Sequence, residues 1–341
     1  MECAPHVDST QGFPACLALL PAYTEGRKAT FYLAAEEYIA NNLPADNYFF
    51  TWQIAPTVVM GRNQVFFKEI NYEFCTAHQI DVVRRKSGGG CIFADMGNIM
   101  LSLITPPRKV EDLFQEYAQA VADTLGQLGA DMEVTGRNDV VLKGFGKVCG
   151  NAFYRMPSGK NIVHGTMLYD TDYQLMSGAL NPEYDKLKAQ GVESVRSRVG
   201  LLKEVLDIDV TTLRRQLCSL LTNRVVRLTD EDVARIEQIE QGYRQPDYLY
   251  GDRQQTDISF SERIEGCGTL GICLTLKGNI ISDVALTGDF FEVDNAAQAF
   301  AGALVGVQFG KEQMRQALCS HQPWTAVRHL TPEALLSLLR L

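Results

Sequence analysis

The sequence predicts an α+β fold divided into a larger N-terminal domain and a smaller C-terminal one. Short β-type runs and longer stretches with helical spacing are mixed along the chain. The composition turns polar after Gln241, as in a linker, and a hairpin signal follows at Lys277-Gly278-Asn279. With 341 residues, 46% of them hydrophobic, the chain is long enough for one large core and one small core. The predicted divisions are a first domain at 1–245, a linker at 246–256 and a small α/β domain at 257–341.

Hydrophobic spacing predicts the elements of the first domain. The clearest helix is 110–128, whose apolar stripe is better explained as core than as a cofactor-binding face. Thr229 is the expected N-cap of a later helix. The other predicted elements are helices at 29–43, 210–221 and 230–241, short helical stretches around 181–182, and strands at 48–52, 57–60, 80–83, 99–104, 140–142, 147–154 and 162–169.

The second domain is predicted to contain a hairpin and two helices. Strands at 271–276 and 280–286 flank the turn, and a helix is expected at 296–305. The closing helix is expected to begin at Thr331-Pro332-Glu333, where proline suits the first turn.

Composition excludes several classes of protein. A net charge of −9 argues against general nucleic-acid binding, because that affinity comes from clustered lysine and arginine. The nine cysteines contain no Cys-x-x-Cys pair, a pattern typical of the reduced cytosol and not of a disulfide framework or a zinc site. The N-terminus lacks signal-peptide features, and no apolar run reaches the roughly 20 residues of a membrane span. We therefore expect a cytoplasmic protein with no nucleic-acid or membrane partner.

A basic, glycine-rich segment is the first candidate functional motif. Arg84, Arg85 and Lys86 precede the three glycines 88–90, which follow the predicted strand 80–83. Backbone without Cβ atoms beside fixed positive charge favours binding of a phosphate or a carboxylate. The alternative is a flexible surface hairpin with solvated charges. The segment matches neither a Walker loop nor a dinucleotide fingerprint.

A second cluster of unusual residues lies between Gly136 and Thr166. It contains Lys143 and Lys147 among glycines, and it ends at His164-Gly165-Thr166. Taken alone, the lysines fit a solvated hairpin and His164 fits a partly buried structural histidine. Taken together with the first segment, they lead us to expect that the two glycine-rich segments face each other from neighbouring strands and form a local anion site.

Eight blocks of residues occur in the order found in one known family. The blocks are residue 52 and residues 56–64, 84–90, 95–98, 137–139, 147–152, 164–166 and 194–199. On these blocks the chain resembles the lipoate–protein ligases, which share a fold superfamily with the biotin–protein ligases. The resemblance covers residues 30–200 closely and the part past residue 257 only loosely. It implies a mixed, largely antiparallel β-sheet in the catalytic domain.

The resemblance implies a two-step reaction that depends on ATP. Lipoate and ATP give lipoyl-AMP and pyrophosphate, and the lipoyl group then passes to one lysine of an apo-lipoyl domain. The implied acceptors are the apo-lipoyl domains of 2-oxoacid dehydrogenase complexes or the glycine cleavage H protein. In the first step a carboxylate attacks the α-phosphate, so fixed cations must offset the repulsion between two anions.

The resemblance also implies candidate site residues. Lys147 is the expected catalytic cation, in contact with both lipoate and nucleotide, and Lys143 is its competitor. Arg85 is expected to hold the nucleotide or the lipoate carboxylate. Asp139 is expected to support Mg²⁺ on the phosphates, because this cation takes one or two carboxylates. The remaining expected contacts to nucleotide and lipoate are Gly89, Gly90, Cys91, Ile92, Phe93, His164 and Thr166.

Two further expectations concern the lipoyl tail and the acceptor protein. The apolar tail needs a narrow tunnel, and the candidates for its lining are Val58, Val83, Val163 and Met167. A basic rim is expected to meet the acceptor domain, and the candidates for it are Arg196, Arg198 and Lys203. Ordinary solvated surface charges are the alternative interpretation of that rim.

Two departures from the family pattern leave alternatives open. Ala94 replaces a common histidine, which removes a ring able to hydrogen-bond a ligand. Cys149 stands where serine is frequent, and a thiol beside the Lys147 ammonium is expected to have a depressed pKa and to act as a nucleophile. The alternative function is therefore an octanoyl or lipoyl transferase that forms a Cys149 thioester without ATP. A non-catalytic lipoate-binding module is a third option, and the absence of a Gly-Arg-Gly-Arg loop argues against a biotin ligase.

Overall fold

A computed structural model describes residues 15–135, 139–180, 199–251 and 257–341. Within these residues the chain forms two compact units. The first unit takes residues up to 59, 69–83 and 92–245, and the second takes 60–68, 84–91 and 246–341. The change of unit after residue 245 falls at the predicted start of the linker. The basic, glycine-rich segment 84–91 belongs to the second unit, although it lies early in the sequence.

The first unit contains an eight-stranded sheet. Across the sheet the strands are β11 (Thr222–Arg227), β1 (Ala15–Leu19), β2 (Tyr48–Trp52), β6 (Asn98–Thr105), β10 (Asn161–Leu168), β9 (Gly146–Arg155), β8 (Asp139–Leu142) and β7 (Met132–Thr135). β1 is parallel to both of its neighbours, and the other neighbouring pairs are antiparallel. The prediction of a mixed, largely antiparallel sheet is confirmed.

Most helices of the first unit were expected from the sequence. They are α1 (Ala29–Asn42), α3 (Tyr72–Ala77), α4 (Val110–Gln127), α5 (Tyr173–Ala179), α6 (Val210–Leu221) and α7 (Asp230–Tyr243). The predicted cap of α7 is confirmed, because the Thr229 hydroxyl accepts from the Asp232 amide while the Asp232 carboxylate accepts from the Thr229 amide. The helical stretch predicted after residue 181 lies outside the described residues.

α1 and α4 cover opposite faces of the large sheet. On one face the Tyr32 ring of α1 stacks on Trp52 of β2, with ring centroids 4.8 Å apart. On the other face Phe114 of α4 meets Phe153 of β9, with centroids 6.1 Å apart. Because side chains alternate between the two faces along a strand, the register fixes the helix that each strand residue meets.

A separate sheet carries the strand that leads into the basic segment. It consists of β3 (Thr57–Met60), β4 (Asp81–Arg84) and β5 (Ile92–Ala94), in the order β4-β3-β5. The expectation that the two glycine-rich segments come from neighbouring strands is wrong. β9 already has β8 and β10 on its two edges, so the large sheet offers β4 no place beside it.

The C-terminal part of the second unit has its own core. β12 (Ile258–Ile264), β13 (Gly268–Lys277) and β14 (Ile280–Gly288) form an antiparallel sheet, and the predicted turn at Gly278 has a φ of 67°. Leu270, Ile272 and Leu274 alternate along β13 and are buried with Phe300. The helices of this unit are α2 (Phe66–Glu69), α8 (Pro246–Tyr250), α9 (Ala296–Leu304), α10 (Lys311–His321) and α11 (Pro332–Leu338). Across the described parts of both units, every helix is too short or too polar to cross a membrane.

Candidate functional site

An ion pair between β8 and β9 lies at the centre of the second predicted cluster. The Lys147 Nζ atom is 2.7 Å from Asp139 Oδ1, and the two side chains are 41% and 30% exposed. A Cβ atom at Gly150 would lie 2.7 Å from this Nζ atom, so the lysine side chain can cross the sheet face only where the residue beneath it is glycine. The competitor Lys143 instead pairs with Asp131 at 2.7 Å, and both side chains are at least half exposed.

The register shows which other residues share this face. Asp139 and Thr166 lie opposite Gly150, and His164 lies opposite Ala152. Cross-strand partners point to the same face, so Lys147, Asp139, His164 and Thr166 are brought together on one side of the large sheet. They share one face of the sheet, and their role as one functional site stays a prediction.

A buried chain of hydrogen bonds leads to His164 on the same face. Trp52 Nε1 donates to Ser102 Oγ at 2.9 Å, and Ser102 Oγ donates to Glu36 Oε1 at 2.5 Å. His164 Nδ1 lies 2.9 Å from the other carboxylate oxygen, Glu36 Oε2. Glu36 is 2% exposed and His164 is 8% exposed. Sequence reasoning missed Glu36, although an acidic pair inside the apolar stretch of α1 was a signal that could have found it.

Cys149 lies on the opposite face, so the expectation of a depressed pKa is wrong. A Cβ atom built on Gly165 would lie 3.3 Å from the Cys149 Sγ atom, on the side of the sheet that α4 covers. Cys149 is fully buried. Burial raises the pKa of the Cys149 thiol to about 12, and the opposing effect of Lys147 is smaller. If β9 were regular, Lys147 and Cys149 would share a face, because they are two residues apart. A register shift between Val140 and Val141 places them on opposite faces.

The same alternation corrects part of the predicted tunnel. Met167 pairs with Cys149 and Val163 pairs with Phe153, so both face α4 and not the site that contains His164. Val58 and Val83 are buried in the small sheet, and their place in the tunnel stays a prediction.

In the second unit, the two arginines of the basic segment bind backbone carbonyl groups. Arg84 donates to the carbonyl oxygens of Gly61, Arg62 and Gln64 at 2.8 to 3.2 Å. Arg85 donates to the carbonyl oxygens of Gly88 and Gly90 at 2.7 and 2.8 Å. Burial lowers the pKa of Arg85 to about 10, so the guanidinium stays charged at neutral pH. Its structural work is to fix the shape of the triple-glycine loop.

Residues of the second unit's C-terminal part lie against this loop. The Gly89 amide donates to the Phe290 carbonyl at 3.0 Å, and a Cβ at Gly88 would lie 2.6 Å from the same oxygen. Gly89 has a φ of +86°, and its Cβ would lie 2.8 Å from the Phe291 ring. Gly88 and Gly89 are therefore required by the chain's own packing. Sequence reasoning missed this contact, because it joins segments about two hundred residues apart.

The segment after the loop returns to the first unit as an edge strand. Ile92 and Phe93 pair with Val59 and Val58 of β3. β5 is at one end of the small sheet, so alternate backbone groups along it face away from β3. Such groups suit the predicted backbone contacts to a nucleotide. Cys91 is a half-buried cysteine beside Gly90.

Asp139 is the candidate magnesium ligand, and its surroundings fit that role. Its Oδ1 atom is buried, and the contact with Lys147 is an ion pair without hydrogen-bond geometry. Among the described residues no three acidic, histidine or cysteine side chains cluster as a metal site. Mg²⁺ bound to ATP uses only one or two carboxylates beside phosphate and water oxygens, so a single aspartate is sufficient.

The basic rim is only partly visible. Arg196 and Arg198 lie outside the described residues. Lys203 forms a 2.6 Å ion pair with Asp170, and its side chain is 58% exposed. The rim stays a prediction.

The chain is similar to two family models and to known proteins over most of its length. Residues 28–222 match the family model of the lipoyl protein ligase A/B catalytic domain, and residues 254–339 match that of the bacterial lipoate protein ligase C-terminus. The chain is 32% identical over 301 residues to lipoate–protein ligase 1 of Staphylococcus aureus. The matched region covers 86% of this chain and 90% of that protein.

Three solved structures share the fold at lower identity. P. falciparum LipL1 in complex with lipoate has a TM-score of 0.73 at 16% identity, covering 90% of this chain and 94% of that one. The bipartite lipoate protein ligase of Thermoplasma acidophilum, described with its E2 lipoyl domain, has a TM-score of 0.63 at 22% identity and covers 73% and 100%. Lipoate-protein ligase A bound with ATP has a TM-score of 0.58 at 21% identity and covers 71% and 99%.

Proposed function

The chain belongs to the lipoate–protein ligase family, and from this premise we propose that it activates lipoate with ATP and transfers the lipoyl group to a lysine of an apo-lipoyl domain. The observation that carries the proposal is the Lys147–Asp139 pair held on the face of the large sheet. Solved structures of similar proteins in complex with lipoate, bound with ATP and described with an E2 lipoyl domain support this choice of substrates and partner.

Lys147 is the proposed catalytic cation of the adenylation step. A lipoate carboxylate oxygen attacks the α-phosphorus of ATP, and pyrophosphate leaves, so negative charge gathers around one centre. The pair with Asp139 holds the ammonium over Gly150, so the cation is in place before that charge develops. Such preorganisation is usually the largest single source of electrostatic catalysis.

Asp139 is proposed to hold Mg²⁺, and the glycine-rich loop is proposed to bind the nucleotide. When bound, Mg²⁺ supplies charge neutralisation on the phosphates and the leaving pyrophosphate. The proposed nucleotide and lipoate contacts are Arg85, Gly89, Gly90, Cys91, Ile92, Phe93, His164 and Thr166. In this proposal Arg85 binds the carbonyl groups of the glycine-rich loop and so holds the loop backbone in one conformation.

The proposal extends to domains, acceptors and location. The catalytic domain is proposed at 1–245 and the accessory domain at 257–341. The proposed acceptors are the lipoyl domains of 2-oxoacid dehydrogenase complexes or the glycine cleavage H protein, which makes this a salvage enzyme for lipoate. A cytoplasmic location is supported by the eight cysteines of the described residues, which form no disulfide with one another, since reduced cysteines are typical of that compartment.

Pyrophosphate release tests the function. The protein is incubated with lipoate, octanoate or biotin, with and without ATP and Mg²⁺, and acyl transfer to an apo-lipoyl domain is followed in parallel. We expect pyrophosphate with lipoate only when ATP and Mg²⁺ are present, followed by transfer. Transfer from an acyl donor without ATP would support the Cys149 transferase instead, a reading that the burial of this thiol disfavours. Binding without either reaction would indicate a non-catalytic module.

A further inference from the structure

We propose that His164 accepts the proton of the acceptor lysine in the transfer step, and that Glu36 is the residue that positions it. The inference rests on the proposed ligase function and assigns it a catalytic base. The acceptor lysine has an ordinary pKa of about 10.4, so it arrives as an ammonium ion and cannot attack until it loses a proton.

The hydrogen bonds around Glu36 fix the direction of the imidazole. Trp52 Nε1 can only donate, so Ser102 Oγ accepts from it at 2.9 Å and uses its own proton toward Glu36. An ionised Glu36 can only accept, and its second oxygen therefore receives the Nδ1 proton of His164 across 2.9 Å. This assigns the tautomer of the neutral ring, with the proton on Nδ1 and the lone pair on Nε2.

The ring lies near the proposed reaction centre. His164 and Thr166 are two positions apart on β10 and share a face, and Thr166 is directly opposite Gly150. The Cα atoms of diagonal neighbours such as His164 and Gly150 are about 7–8 Å apart. Lys147 Nζ sits over Gly150, so the imidazole and the cation that is proposed to hold the acyl adenylate are adjacent on one face.

Glu36 is the buried anion that makes this arrangement useful. The charged groups that face His164 are Glu36 from α1, Lys147 from β9 and Asp139 from β8, while β6 presents the neutral Ser102. A carboxylate that is 2% exposed is costly unless hydrogen bonds compensate it, and Ser102 and His164 each supply one to Glu36. Glu36 therefore holds the imidazole ring in one orientation through its Nδ1 atom.

The transfer step moves one acyl group and two protons. Nε2 takes one proton from the acceptor ammonium, and the freed nitrogen lone pair attacks the acyl carbon of lipoyl-AMP. The bond between that carbon and the phosphate oxygen breaks, and AMP leaves with the electron pair. The second proton of the nitrogen leaves with the AMP phosphate as the amide forms. The imidazolium next to Glu36 then returns its proton to water.

Three reactions of the full chain separate this role from a structural one. Pyrophosphate release measures adenylation, transfer to hydroxylamine uses an amine that is already neutral at neutral pH, and transfer to an apo-lipoyl domain uses a charged lysine. The variants are His164→Asn, whose amide can still donate to Glu36, and Glu36→Gln. The control is Glu37→Gln, because Glu37 is also a buried acid of α1 but accepts from Tyr243.

We expect transfer to lysine to fall by about 10²-fold or more in His164→Asn relative to both pyrophosphate release and hydroxylamine transfer. The ratio of lysine transfer to hydroxylamine transfer, and the ratio of lysine transfer to pyrophosphate release, should also fall in Glu36→Gln. Both ratios should stay unchanged in Glu37→Gln. In the two site variants the deficit should shrink as the pH rises toward about 9, because more of the lysine then ionises without a base.

Equal losses in all three reactions would overturn the proposal, because His164 would then act only as the substrate contact already proposed for it or as part of the fold. Undiminished transfer to lysine would also overturn it. If Glu36→Gln does not fold, the role of His164 is tested by His164→Asn alone. The test is then the loss of lysine transfer relative to the other two reactions, together with its pH dependence. A wild-type protein that releases no pyrophosphate refutes the proposed ligase function instead, so the two failures are distinguishable.

Discussion

Replacing Lys147 by alanine should nearly abolish adenylate formation while the fold remains intact. The Nζ atom lies 2.7 Å from Asp139 and over Gly150, in the position where the adenylation charge is proposed to develop. Loss of one preorganised group of this kind costs about 10²–10³-fold in rate, or roughly 3–4 kcal/mol of transition-state stabilisation.

The effect on stability should be much smaller. The two side chains of the pair are 41% and 30% exposed, so water screens their attraction. Pairs of this kind contribute about 0–1 kcal/mol to the free energy of unfolding. The variant should therefore unfold near the wild-type temperature, and a loss of activity cannot be attributed to loss of structure.

The assay is pyrophosphate release with saturating lipoate, ATP and Mg²⁺, accompanied by thermal unfolding. Lys143→Ala is the matched control, because it removes the same charge from a lysine that pairs with Asp131 in an exposed position four residues earlier. Normal adenylation in Lys147→Ala together with inactivity in Lys143→Ala would refute the assignment of the catalytic lysine.

Four further predictions follow from burial and backbone geometry. Cys149→Ser should keep most of its activity, measured by pyrophosphate release, because the thiol faces α4 and not the site; complete loss would restore the thioester mechanism. In the folded protein iodoacetamide should label the exposed Cys319 and leave Cys149 intact, as mapped by mass spectrometry. Burial raises the pKa of Cys149 to about 12 in the folded protein, above the pKa of the same thiol in the unfolded chain. The neutral buried thiol therefore contributes its full stability below the unfolded-state pKa, and that contribution is lost as the pH rises. The free energy of unfolding should fall above about pH 9, as measured by urea titration at several pH values. Gly89→Ala should destabilise the chain by at least about 1–2 kcal/mol, because its φ is +86° and the Phe291 ring occupies the space, whereas Gly126→Ala in α4 meets no atom within 4 Å and should be neutral or stabilising.

Local sequence signals determined many elements directly. The stripe of α4 has the 3.6-residue period of a helix with one buried face, and the boundaries of α6 were those of the apolar pattern. The turn at Gly278 was expected because residues with positive φ favour glycine. These features depend on neighbours within a few positions, so the chain specifies them without its tertiary context.

Other elements carried little local signal. β11 was missed because its residues, Thr222–Arg227, are half-buried or exposed and include Asn223 and Arg224. β5 has three residues, too few for any period to show. β1 pairs in parallel with β2 and with β11, which lies about two hundred residues later, so its assignment depends on partners outside its own segment.

The sequence by itself determined the residue types that the chemistry needs, since the ordered blocks containing Arg85, Lys147 and His164 are local strings of residues. Only the tertiary structure decided which of them meet. Lys147 and Cys149 are two positions apart, yet a register shift sends them to opposite faces, where one stays half-exposed and the other has its pKa raised by burial. Glu36 meets His164 across 128 positions of sequence. Faces and long-range contacts arise from strand register and helix packing, because a side chain's direction alternates with each residue and its environment is supplied by distant segments.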